Sequence, residues 1–116
     1  MNVPKLDAML RPILALSVDA PITRVSATES MALHFGLSAE DRQVRIPSGK
    51  STYVRNRTGW AMTFLTKGGL IEKVAPKQYR VTERGRAFLA AHPEEITIRD
   101  LEAIDGWEEA LSLIHI

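Results

Sequence analysis

In the middle of the chain, the spacing of apolar residues changes from that of a helix to that of β-strands. This change limits the possible folds more than any other feature of the sequence. Over residues 52–67, apolar side chains recur at the spacing of an amphipathic helix. Gly68 and Gly69 end this pattern, and two short β-type runs follow at 70–74 and 78–81. The residues between the runs, "APK", include a proline and are few enough only for a tight turn. A helix followed directly by a β-hairpin is therefore predicted.

Helical spacing predicts two further helices before this unit. The first covers about residues 5–17, and Pro12 is expected to kink it because the ring removes one backbone hydrogen bond. The second begins after Thr23, a suitable N-cap, and ends at Phe35 before a glycine. A short helical turn follows the N-cap Ser38. The buried face of the second helix is predicted to be Val25, Thr28, Met31, Ala32 and Phe35.

After the hairpin, Thr82 is a cap for a helix over residues 83–91, and Thr97 with Asp100 caps a final helix. The order of three helices, hairpin and helix is that of a winged helix-turn-helix, whose third helix enters the DNA major groove. We therefore predict a mainly α fold with a small β-hairpin, forming a winged-helix DNA-binding domain over residues 1–93. Residues 94–110 are predicted to be an acidic helical linker.

Charge is strongly segregated along the chain, although the net charge is only +1. Residues 42–80 carry nine Lys or Arg against one Asp or Glu, whereas residues 92–116 carry one against seven. This asymmetry indicates a polyanion-binding surface in the middle of the chain. A chain of 116 residues suits one compact domain. Double-stranded DNA is the partner we expect.

Several other classes of function are disfavoured. The chain has no cysteine, and its three histidines are dispersed, so neither a metal site nor a catalytic residue is predicted. The run Gly49-Lys50-Ser51 resembles part of a phosphate-binding loop, but the required earlier glycine is Val44, which argues against nucleotide binding. No run of about 18 apolar residues and no signal peptide occurs, so we expect no membrane partner and a cytoplasmic protein.

The third helix separates into two faces at about 100° per residue. The apolar face holds Val54, Arg57, Ala61, Phe64, Leu65 and Gly68, with Tyr53 and Trp60 at its edge. The opposite face holds Arg55, Gly59, Met62, Thr63 and Thr66, with Asn56 at the border. Arg57 therefore points inward and is predicted to be structural, whereas Arg55 points outward and is free to bind DNA.

Gly59 lies on the outward face, where it destabilises a helix interior by about 1 kcal/mol relative to Ala. We interpret it as permitting close approach of a partner, with packing against a neighbouring loop as the alternative. Major-groove contacts are predicted for Arg55, Asn56, Met62 and Thr63. Phosphate contacts are predicted for Lys50, Tyr53, Lys77 and Arg80, although the hairpin charges could equally serve only solubility.

The runs "SGKSTYVRNRTGWAMTFLTKGGLIE" and "YRVTERGRAFLAAHP" resemble the N-terminal domain of Mrr-type restriction endonucleases, over about residues 3–93. The resemblance implies a winged helix attached to a C-terminal nuclease domain of the PD-(D/E)xK type. That nuclease cleaves foreign, usually methylated, DNA with Mg²⁺. This chain would then be the targeting half: not itself an enzyme, without a cofactor of its own, and able to form a homo-oligomer through the missing region.

The final residues, "LSLIHI" at 111–116, can be written codon by codon as CTG TCT CTT ATA CAC ATC, the mosaic-end adapter of transposase-based sequencing libraries. We interpret them as translated adapter, with a genuine apolar helix end as the alternative. A stand-alone winged-helix transcriptional regulator remains the second functional hypothesis, and a winged helix used only for protein contacts is the third.

Overall fold

The computed structural model describes residues 3–104 and 106–107. The fold is mostly helical and has one antiparallel hairpin in this part of the chain. The elements in order are α1 (Leu6–Asp19), α2 (Arg24–His34), α3 (Ala39–Gln43), α4 (Tyr53–Lys67), β1 (Ile71–Ala75), β2 (Gln78–Val81), α5 (Glu83–Ala91) and α6 (Ile98–Glu102). The predicted mainly α, winged helix-turn-helix class is confirmed. The adapter-like residues 111–116 lie outside the described residues.

Hydroxyl side chains begin five of the six helices of the described chain. Each accepts a hydrogen bond from the backbone N–H three residues later, at 3.0–3.3 Å, and so satisfies one N–H that the helix cannot pair. The five caps are Thr23, Ser38, Thr52, Thr82 and Thr97. The four caps predicted from the sequence are thus confirmed. Helix α1 has no side-chain cap and continues through Pro12 to Asp19.

The hairpin pairs Ile71 with Val81 and Glu72 with Arg80, and an irregularity separates Lys73 from Ala75. On its other edge, Tyr79 exchanges two backbone hydrogen bonds with Ile22, at 2.7 and 2.8 Å. This isolated β-bridge fastens the hairpin to the connection between α1 and α2. The hairpin turn is therefore held at a fixed place relative to the helices.

The core is built around α1, which packs against α2, α4 and the hairpin. Met9, Leu10, Ile13 and Leu14 of α1 are fully buried. The buried residues of α2 are Ala27, Met31 and Ala32. Val25 was predicted to be buried, but its side chain is 66% exposed. That prediction is wrong because the buried stripe of α2 begins two residues later, at Ala27.

The acidic segment after residue 93 contributes to the same core. Ile96 and Leu101 are fully buried, and Trp107 is 7% exposed and contacts the ring of Phe64. The backbone N–H of Ile98 also donates a hydrogen bond to Asp7 of α1, at 3.3 Å. The packed unit therefore extends past the boundary expected at residue 93. An independent linker would have left these apolar side chains in water.

Gly85 lies where α5 packs closely against Leu70, just before β1, and against Val81 of β2. A Cβ atom at this position would lie 2.1 Å from the carbonyl oxygen of Leu70 and 2.7 Å from Cγ2 of Val81. Because the first of these is a backbone atom, it cannot rotate away. The helix must separate from the strand to accommodate any side chain.

We therefore expect Gly85→Ala to reduce the free energy of unfolding by about 3 kcal/mol or more, measured by urea denaturation. Ala90→Gly, at an exposed position of the same helix, is the matched control and should cost only about 1 kcal/mol. A Gly85→Ala variant as stable as the wild type would contradict this packing.

Candidate nucleic-acid interface

Helix α4 is buried on two sides, and this determines which of its side chains face solvent. Val54, Thr58, Ala61, Met62 and Leu65 are buried, and the helix packs against both α1 and α2. Arg55 is exposed, while Asn56 and Thr63 are partly exposed. These three residues remain available on the side predicted to face DNA.

Met62 was predicted to face the major groove, but its side chain is only 5% exposed and belongs to the core. The prediction is wrong because the angular analysis assumed one buried face. Contact with both α1 and α2 widens the buried stripe, so that Met62 joins Thr58 and Leu65 inside. Met62 is therefore removed from the set of candidate DNA contacts.

Arg57 has the structural role predicted for it. Its Nη1 atom donates hydrogen bonds to the carbonyl oxygens of Val3 and Pro4, at 3.0 and 2.9 Å. The guanidinium also lies 4.9 Å from the centre of the Tyr53 ring, a cation–π contact. Arg57 thus attaches the segment before α1 to α4, and it leaves the ring of Tyr53 partly buried.

The glycine at position 59 makes room for a side chain of the same domain. A Cβ atom there would lie 2.7 Å from Nε of Arg24, which is the first residue of α2. The packing alternative is therefore the one the structure supports, with an α2 side chain in place of the expected loop. Arg24 was not selected from the sequence, because nothing in its local pattern relates it to a residue 35 positions away.

The loop before α4 is a small, well-bonded turn. The N–H of Tyr53 donates to the Val44 carbonyl at 2.8 Å, and the N–H of Ile46 donates to the Ser51 carbonyl at 3.0 Å. Arg45 pairs with Thr52 in an isolated β-bridge. Lys50 lies exposed in this loop, three residues before α4 begins.

The hairpin carries exposed cations at its turn and on both strands. Lys77 lies in the turn with φ of 62°, a left-handed conformation that is uncommon for a lysine. Lys73 and Arg80 are exposed on β1 and β2. Glu72 is the cross-strand neighbour of Arg80, and it is the single acidic residue of segment 42–80.

Three of the nine cations in segment 42–80 are partly buried and engaged inside the domain, and the exposed Arg45 also donates to the Gly49 carbonyl at 2.9 Å. Arg42 forms an ion pair with Glu29 at 3.1 Å, and Arg57 binds two carbonyl groups. Lys67 has a buried Nζ atom, 4.0 Å from the centre of the Trp107 ring. Burial lowers the pKa of Lys67, and the nearby carboxylate of Glu102 partly offsets this effect. These three residues are unavailable to a partner.

The other six cations are exposed, on the loop before α4, the first turn of α4 and the hairpin. They are Arg45, Lys50, Arg55, Lys73, Lys77 and Arg80. Four of them were singled out from the sequence, whereas Arg45 and Lys73 were missed. Both belong to the basic segment 42–80, so the charge segregation was the signal that could have indicated them.

Two kinds of feature are absent from the described ranges. No group of three or more metal-ligating side chains comes together in residues 3–104 and 106–107. Across the same residues, no helix has both the length and the apolar character needed to cross a membrane.

The helices, the hairpin and its pairing with Ile22 define a winged-helix domain. The family model of the Mrr N-terminal domain matches residues 7–91, and the chain belongs to this family. The type IV methyl-directed restriction enzyme EcoKMrr of Escherichia coli (strain K12) is 30% identical over 99 residues. That match covers 84% of this chain but 32% of the enzyme, so the chain spans about a third of its relative. No solved structure matches the chain.

The contrast between Arg57 and Arg55 gives a direct test of the two roles. Arg57→Ala removes the donor to two carbonyl groups and should lower the free energy of unfolding by about 1–2 kcal/mol. Arg55→Ala removes only an exposed side chain and should stay within about 0.5 kcal/mol of the wild type. Urea denaturation of both variants checks this, and equal destabilisation would contradict the structural role of Arg57.

Proposed function

We propose that this chain is the DNA-targeting domain of a modification-dependent restriction endonuclease of the Mrr type, and that it binds duplex DNA. The observation that carries the proposal is the sorting of charge within segment 42–80. Three cations are partly buried and engaged internally, and the other six are exposed on adjoining elements of a winged helix, where Arg45 alone of the six has a side-chain hydrogen bond to the described part of the domain. A surface that needed only solubility would carry mixed charges, since interspersed signs keep a surface soluble equally well.

Helix α4 is the element proposed to enter the major groove, through Arg55, Asn56 and Thr63. Arg55 has a planar fork of donors that suits guanine, and the amide of Asn56 suits adenine. The hydroxyl of Thr63 donates to the Gly59 carbonyl at 3.0 Å, which leaves its oxygen lone pairs and methyl group for a base edge. These residues would determine which sequences are preferred.

Phosphate contacts are proposed for the residues on either side of α4. Lys50 approaches from the loop, whereas Lys77 and Arg80 approach from the hairpin as a wing does. Tyr53 would use its hydroxyl group, because its ring is partly buried and lies next to Arg57. Such contacts position a protein on DNA without reading its sequence.

The relative's name describes a methyl-directed restriction enzyme, and this chain covers 32% of it. We propose that the parent protein likewise carries a C-terminal nuclease domain, which would hold Mg²⁺ and contribute any homo-oligomer contacts. The targeting domain then needs no cofactor of its own. Cleavage of incoming DNA would take place in the cytoplasm.

Reading the source gene beyond codon 110 tests this larger proposal. We expect the frame to continue into a domain with a nuclease motif, in place of the adapter-like residues 111–116. A stop codon directly after Ile116 in the genome would contradict both the nuclease and the adapter interpretation.

Binding itself is tested by the salt dependence of duplex affinity, measured by fluorescence anisotropy. The association constant should fall linearly on a log–log plot, with a slope of about −0.9 for each phosphate neutralised. Lys77→Gln keeps a polar side chain, one atom shorter, but removes its charge, so it should weaken binding to all duplexes alike and reduce the slope by about 1. Asn56→Ala should instead change the preference among sequences.

Lys5→Gln is the matched control, since Lys5 is exposed but lies before α1, outside segment 42–80. It should bind as the wild type does. An affinity independent of salt would exclude phosphate-dominated binding. Equal losses on every sequence for both Lys77→Gln and Asn56→Ala would defeat the assignment of Asn56 to base contacts.

A further inference from the structure

Arg24 lies in sequence outside the basic segment but in space beside α4. A Cβ atom at Gly59 would be 2.7 Å from its Nε, 2.8 Å from its Cζ and 2.9 Å from its Nη2. The same Nη2 donates to the backbone carbonyl of Arg55, at 3.4 Å. The guanidinium therefore occupies the space that a side chain at position 59 would fill, next to the residue proposed to bind guanine.

We propose that Gly59 seats the guanidinium of Arg24 on the DNA-facing side of α4, and that Arg24 is a phosphate-binding residue of this interface. The proposal rests on the function proposed above. It adds a residue from α2 to a surface otherwise formed by the loop, α4 and the hairpin.

Arg24 differs from the arginines that stabilise the fold. Arg57 has two bonds of 2.9–3.0 Å to carbonyl groups, and Arg42 has an ion pair with Glu29 at 3.1 Å. Arg24 has one long bond of 3.4 Å and no ion pair with any described residue, and its side chain is exposed. Since a guanidinium has five N–H donors, most of them remain directed to solvent or to a ligand.

Each of the two residues in this contact lowers the stability of its own helix. A glycine within α4 destabilises that helix, and a cation in the first turn of α2 is unfavourable beside the positive end of the helix dipole. A bulkier residue at 59 and a neutral residue at 24 would both be better for folding alone. Features that disagree with local stability in this way are expected where a surface serves binding.

The consequence is that stability and DNA affinity respond in opposite directions to Gly59→Ala. The new methyl group meets only the guanidinium end of Arg24, a flexible group that can move, whereas the backbone stays in place. Because alanine has a higher helix propensity than glycine, we expect the melting temperature to rise by about 4 °C. The guanidinium is displaced, and duplex affinity at low salt should fall about three- to tenfold.

The experiment measures melting temperature and duplex affinity on the full chain for Gly59→Ala, Arg24→Ala and the double variant. Arg24→Ala should lose a similar three- to tenfold and reduce the salt slope by about 1. The double variant should bind no more weakly than Arg24→Ala, because the glycine acts through the arginine. Arg99→Ala, at an exposed arginine of α6, is the control and should bind as the wild type does.

The outcomes separate this proposal from the one on which it rests. If the wild type does not bind duplex DNA at low salt, the proposed function fails. If the wild type binds and either Gly59→Ala or Arg24→Ala binds equally well, the role of Arg24 is overturned while the function stands. A Gly59→Ala variant that loses both affinity and melting temperature would also overturn it, since damage to packing would then explain the loss.

Discussion

The packing of α4 between α1 and α2 is the constraint on which the rest of this domain depends. The fully buried side chains of α1 contact one side of α4, and α2 contacts another. A helix enclosed on two sides has only a narrow exposed strip. In α4 the exposed residues are Arg55, in the first turn after the Thr52 cap, and Thr66, in the last turn, with partly exposed residues between them. The same packing positions the loop and the hairpin, because the loop leads directly into α4 and the hairpin follows α4 after a short turn.

The same packing explains why residues of like charge have unlike roles. Arg55 and Arg57 are two positions apart, so they lie on opposite sides of the helix. One side faces solvent, and the other faces the chain segment before α1, whose carbonyl groups accept hydrogen bonds from Arg57. The number of basic residues in segment 42–80 therefore overstates the number of cations available to a polyanion. The relevant quantity is the number of cations left after internal partners are satisfied.

Local signals made most of the fold predictable. Each predicted N-cap places a hydroxyl three residues before an N–H that needs a partner, so sequence spacing is enough to find it. The errors at Val25 and Met62 have a different origin. Which residues of a helix are buried depends on how many neighbours it has and on their angles, and sequence periodicity records only one average direction. Ile96 and Leu101 were assigned to a linker for a similar reason, since the acidic residues around them concealed two core positions.

The contact between Gly59 and Arg24 cannot be predicted from the sequence of either helix alone. The sequence shows a glycine that weakens α4 and, separately, an arginine at an unfavourable end of α2. Neither has a local explanation, because the two residues are 35 positions apart in sequence and come into contact only in the folded domain. If the only requirement were to join α2 to α4, an apolar pair at these positions would do so with less loss of conformational entropy, since ordering an arginine side chain costs more than ordering an alanine. A positioned, exposed guanidinium is instead what an anionic ligand requires, and this is the physical reason to regard the α2–α4 contact as part of the interface.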